Sequence, residues 1–126
     1  MPPKWTNGSS LTIERTGAVL VRDLEVAGDS SSRRKGLLGR ERLDPGCAVL
    51  IAPSQGVHTF GMRFAIDIVA VTRDGVVIKI RSNVPRRRIV MALKAFAIVE
   101  LQSGAANAKD LRVGDRLLVS AQPQSS

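Results

Sequence analysis

His58-Thr59-Phe60-Gly61-Met62-Arg63-Phe64-Ala65-Ile66-Asp67-Ile68-Val69-Ala70-Val71-Thr72-Arg73-Asp74-Gly75-Val76-Val77-Ile78-Lys79-Ile80-Arg81 is the stretch on which the fold turns. Residues 64–72 are apolar and rich in β-branched side chains, Arg73-Asp74-Gly75 is a tight-turn signal, and residues 76–81 form a second such run. Together they predict a β-hairpin.

Working outward, residues 18–27 alternate in part, with Val19, Val21, Leu24 and Val26 inward and Arg22, Asp23 and Glu25 outward, which favours a strand. Gly28-Asp29-Ser30-Ser31-Ser32 offers a turn and N-caps for a short helix over about 33–38, closed by Gly39. Residues 47–52, bounded by Pro45-Gly46 and Pro53, read as a buried strand. Further on, residues 95–101 read as a strand, 105–111 as one or two helical turns and 116–121 as a closing strand. The expected class is mostly β with minor α: a small closed or partly closed antiparallel β-barrel with one or two short helices. Residues 11–121 are expected to form a single domain, with disordered tails at 1–10 and 122–126.

At 126 residues and 44% hydrophobic, the chain has room for one core burying roughly two-thirds of its unfolded surface. With only Trp5, Phe60, Phe64 and Phe96 as aromatics, stacking platforms are scarce and a nucleic-acid partner is weakly supported. Cys47 is the single cysteine, which excludes an intrachain disulfide and a thiolate-rich metal site and is compatible with a reducing compartment. No apolar run approaches the roughly 20 residues that span a bilayer and no signal-like segment opens the chain, so no transmembrane segment and a cytoplasmic location are expected.

The formal charge is +8, and Lys79, Arg81, Arg86, Arg87, Arg88 and Lys94 fall between Gly75 and Val99 without a single acid. That stretch suits phosphates, anionic lipid headgroups or an acidic partner, and equally a solvated face.

Asp67 sits in the middle of the most apolar strand, where a carboxylate needs backbone N–H groups of the preceding loop or an arginine such as Arg63. It reads first as an anchor fixing the loop of residues 56–62, second as a perturbed carboxylate acting as acid, base or cation ligand. His58, the only histidine, offers a general base, a metal ligand or an anion contact beside Thr59. No metal-ligand spacing accompanies it, so neither metal nor cofactor is expected. A Cys47, His58 and Asp67 triad is the sharpest catalytic arrangement the composition allows, against which Cys47 opens an apolar strand as a small hydrophobe would. Asp115 in Val113-Gly114-Asp115-Arg116 is either a second acid near the site or turn chemistry.

The string from His58 to Val69, then Arg73-Asp74-Gly75-Val76-Val77, Val99-Glu100-Leu101, Gly104 and Val113-Gly114-Asp115-Arg116-Leu117, with Gly36-Leu37-Leu38-Gly39-Arg40 upstream, closely resembles an uncharacterised prokaryotic family, domain of unknown function 192. The likeness runs from about Val19 to Val119. It implies a small β-barrel-like domain with little helix and brings no reaction, substrate or cofactor. Phe60, Met62, Asp67, Glu100, Gly104, Gly114 and Asp115 match the family's motif by position. Ala65 stands where a proline often precedes the aliphatic-Asp pair, Gln102-Ser103 replaces Pro-Ala, and Pro85-Arg86-Arg87-Arg88 looks like a Pro-Trp-Arg segment without its tryptophan.

The leading functional expectation is a non-enzymatic binding or accessory domain for an anionic small molecule or an acidic protein partner. Its candidate site comprises His58, Thr59, Phe60, Met62, Arg63, Asp67, Arg86, Arg87, Arg88 and Asp115. The alternative is a small hydrolase or lyase with His58 and Asp67 as an acid–base pair.

Overall fold

The computed structural model describes residues 3–121; the expected C-terminal tail at 122–126 lies outside them. The strands are β1 (Ser10–Ile13), β2 (Val19–Val21), β3 (Asp23–Ala27), β4 (Cys47–Ile51), β5 (Gly56–His58), β6 (Ile66–Val71), β7 (Val77–Val84), β8 (Ile89–Met91), β9 (Ala97–Gln102) and β10 (Leu117–Ser120). The helices are α1 (Ser30–Lys35) and α2 (Ala105–Ala108).

The expected hairpin is β6 and β7, antiparallel around the turn that Gly75 makes at φ 86°. It lies at one edge of a five-stranded sheet ordered β3-β4-β9-β6-β7; a second sheet is ordered β10-β1-β2, and β5 with β8 forms a two-stranded ribbon.

Two features depart from an antiparallel barrel. β3 and β4 run parallel, because the chain between them crosses over through α1. Among the described residues no sheet closes on itself. The two larger sheets are instead stitched at their corners: β2 passes into β3 across Arg22, and an isolated Val76–Arg116 bridge links the start of β7 to β10.

Local differences have local causes. Residues 18–27 divide into β2 and β3 because the Arg22 and Asp23 N–H groups both turn to the Gly46 carbonyl. α1 begins earlier than expected, at the Asp29 cap whose side chain accepts from the Ser32 N–H, and ends at Gly36 rather than Gly39. The segment expected as an N-terminal tail is docked from Trp5 onward: Trp5 packs on the core, the Asn7 side chain accepts from Val26 N–H at 2.6 Å, and Gly8 N–H donates to Leu24.

The five-stranded sheet is buried on both faces. Leu24, Ala48, Leu50, Val69, Val71, Val99 and Leu101 join the core shared with the β10-β1-β2 sheet. Val49, Ile51, Ile66, Ile68, Ala70 and Ile98 pack on the other face with Leu37, Leu43 and Met62. The period-two alternation of strands makes this division, and it decides which polar residues can meet.

Candidate functional site

Two buried acids interrupt the apolar sheet, and they lie on opposite faces. On β6, Asp67 alternates with Ile66 and Ile68 and shares the face of Val69 and Val71. On β9, Glu100 stands directly across from Ile68 and so shares the face of Ile66, Ile68 and Ile98.

Asp67 is fully buried. Its Oδ1 accepts from Asn83 N–H at 2.9 Å and Gly104 N–H at 3.0 Å, and its Oδ2 from Ala106 N–H at 3.0 Å. The Asn83 donor is free because the β6–β7 register slips at this point: Ile66 pairs with Val84 but Ile68 with Arg81. The Ser103 hydroxyl also donates to the Asn83 side chain. Asp67 is therefore an anchor, as its place in an apolar strand suggested. What it anchors is the β7 bulge and the entry to α2; neither the loop of residues 56–62 nor Arg63, which is exposed, supplies these donors.

The acid that shares a cavity with His58 is Glu100. A cleft of about 520 Å³ is lined by Arg33, Gly36, Leu37, Leu38, Ile51, Ser54, Val57, His58 and Glu100, among others. Glu100 is 2% exposed and accepts from the Leu37 N–H, while its Oε1 has no hydrogen-bond partner among the described residues. Burial pushes its carboxyl up to about 7, opposed in part by the Leu37 N–H and by Arg40. Gly36, at φ 45°, makes room for it: a Cβ there would stand 2.7 Å from Oε1.

His58 is exposed and tilted against Phe60 with 6.0 Å between ring centroids. It lines the Glu100 side of the sheet, so the sheet itself stands between it and Asp67. The His58–Asp67 acid–base pair is thus not assembled. Neither is the triad, since Cys47 borders a separate cavity with Arg40, Arg42 and Asp44.

Thr59 fastens the basic loop. Fully buried, its hydroxyl donates to the Pro85 carbonyl at 2.7 Å and accepts from Arg88 N–H at 2.8 Å. Its own N–H donates to the Arg88 carbonyl at 2.8 Å. Arg86, Arg87 and Arg88, all exposed, are held beside the β5–β8 ribbon in this way, with Arg87 at φ 65°. Large apolar side chains are exposed on and next to the ribbon: Phe60, Ile89, Met91 and Leu93. Met62 is buried in the core beneath, its N–H donating to the Thr59 carbonyl.

Asp115 belongs to a third place. Arg15 grips both its oxygens at 2.7 and 3.1 Å, and Arg112 N–H adds 2.9 Å. The Arg15 hydrogen bond is the main cause holding its carboxyl below the usual range. It closes the turn into β10, which is the turn-chemistry reading of the Val113-Gly114-Asp115-Arg116 signal.

The fold and these positions define a small, mostly β domain with two buried acids on opposite faces of one sheet. The chain belongs to the DUF192 family, described as an uncharacterized ACR, whose model matches residues 11–119. A solved structure of a protein of unknown function from Novosphingobium aromaticivorans is similar at 22% identity and a TM-score of 0.75, covering 86% of this chain and 81% of that one. A candidate transcription regulator from Sinorhizobium meliloti is similar at 20% identity and a TM-score of 0.77, covering 92% and 97%. At these identities the likeness establishes the fold alone. No curated protein sequence matches the chain. Among the described residues no helix is long and apolar enough to cross a membrane.

Proposed function

We propose that this domain is a binding module whose β5–β8 ribbon and adjoining arginine loop receive an acidic segment of a protein partner. The observation that carries this reading is the Thr59 clamp: a fully buried side chain spends its hydrogen bonds on holding three exposed arginines in one place. A loop serving only solubility needs no such fixation.

The surroundings favour a peptide over a bare polyanion. Among the described residues β8 pairs only with β5; on its other edge the Met91 carbonyl accepts from Lys79 Nζ at 2.5 Å, which leaves the Ile89 end for strand addition. Ile89 and Met91 project at alternate positions along it, where a phosphate backbone has no apolar counterpart to offer. Phe60 and the His58 ring beside it are exposed in the ribbon region, too little for a run of stacked bases. The His58–Asp67 pair offered for catalysis has its members on opposite faces of the sheet.

The test is fluorescence anisotropy with a labelled peptide of alternating glutamate and valine, against anionic vesicles and oligo-dT as comparators. The peptide should bind best, its affinity should fall with salt, and replacing Arg86, Arg87 and Arg88 by alanine should abolish binding. Equal binding by that variant would remove the proposal, and a preference for vesicles or oligo-dT would replace the partner.

A further inference from the structure

The strongest unassigned feature is the cleft over Glu100, independent of the arginine loop. A polar atom buried without a partner leaves its desolvation uncompensated, and Glu100 Oε1 has no hydrogen-bond partner among the described residues. It lines an open cleft of about 520 Å³, ample for a small molecule. The cleft has a definite polarity. Glu100 is buried at its inner wall, whereas His58 is exposed and Arg33 half-exposed at its mouth. Leu37, Leu38, Ile51 and Val57 supply an apolar wall between them.

An acceptor within, cations at the rim and an apolar side describe the complement of one ligand class. We propose that the cleft binds a free α-amino acid with an apolar side chain: ammonium group on Glu100, carboxylate toward Arg33 and His58, side chain on the leucines. An ammonium offers three donors to a carboxylate that lacks one. A simple hydrocarbon would leave Oε1 orphaned, and a simple anion would meet Glu100 at the inner wall.

Isothermal titration or NMR with L-leucine tests this, with N-acetyl-L-leucine and L-leucinamide as probes lacking one charge each. L-Leucine should bind and shift the Leu37 amide resonance. N-acetylation, or Glu100→Gln in the protein, should weaken binding roughly tenfold or more, the usual weight of a charge-assisted hydrogen bond. Leucinamide should be weakened by Arg33→Gln no further. Because ammonium binding requires the ionised acid, affinity should rise with pH through about 7. Among the described residues the charged groups around Glu100 are Arg33 and His58 in the cleft and Arg40 nearby. The pH series is run on His58→Gln as well as on the wild type, so that it is also read without the imidazole in the cleft. Glu100→Gln keeps the shape of the side chain and removes a buried charge, so folding survives it.

Absence of L-leucine binding, equal binding of the acetylated form, or retention in Glu100→Gln each overturns the proposal. The alanine triple variant of Arg86, Arg87 and Arg88 should keep L-leucine binding, and Glu100→Gln should keep the peptide of the preceding section. Failure of one site therefore leaves the other standing.

Discussion

Gly36 and Glu100 occupy one another's space: Oε1 of Glu100 lies 2.7 Å from where a Cβ on residue 36 would be. The turn that ends α1 is therefore shaped by an acid on β9, and the glycine's φ of 45° with ψ of −122° is backbone that other residues avoid. Gly36→Ala should cost about 2–4 kcal/mol, backbone strain and crowding combined. In urea unfolding, a double-mutant cycle with Glu100→Ala should recover about 1 kcal/mol or more of that loss; strict additivity would mean the contact carries no weight.

Glu100 also sets a pH dependence. Its folded carboxyl is raised from 4.5 to about 7, so the folded state holds the proton more tightly than the unfolded chain. Stability is then greatest below the unfolded value near 4.5 and falls as pH rises toward 7. The full difference is roughly 3 kcal/mol at about 1.4 kcal/mol per factor of ten. Thermal melts of Glu100→Gln should lack this decline and exceed wild type at pH 8. A wild-type curve with the same slope as the variant contradicts it.

Asp67→Ala should be severely destabilising, by about 3–5 kcal/mol, because the backbone N–H groups of Asn83, Gly104 and Ala106 lose their acceptor together. Hydrogen exchange of those three amides should accelerate first. Asp67→Asn should retain part of the stability but not all, since its amide nitrogen brings a donor to a site made of donors.

Thr59→Val keeps the side chain's shape and removes the bonds to Pro85 and Arg88. The expected loss is about 1–3 kcal/mol, with heightened exchange at residues 85–88 and weaker binding of the acidic peptide. Unchanged peptide affinity would separate the clamp from function.

Much of this architecture is legible in the residues, for reasons that also explain the gaps. β4, β6, β7 and β9 announce themselves as long apolar runs between turn residues, and Asp67 stands out in one of them. β5 and β8 are three residues each and pair with each other across about thirty positions, so no local pattern marks them. The parallel β3–β4 pair depends on a crossover that alternation does not encode. Glu100 was available to the same argument as Asp67, a lone acid in the apolar strand Ala97–Gln102. What the sequence lacks is the α1 turn that brings Gly36 and Leu37 over it, and that contact turns a strand residue into the wall of a cleft.

The central claim, that the ribbon and its arginine loop form the partner-binding surface, is tested most directly by a 15N NMR titration with the glutamate–valine peptide. The account predicts resonance shifts concentrated at residues 56–60 and 86–93, which shrink as salt is raised from about 50 to about 200 mM. Shifts absent there, or centred on Arg15 and Asp115 instead, would contradict it.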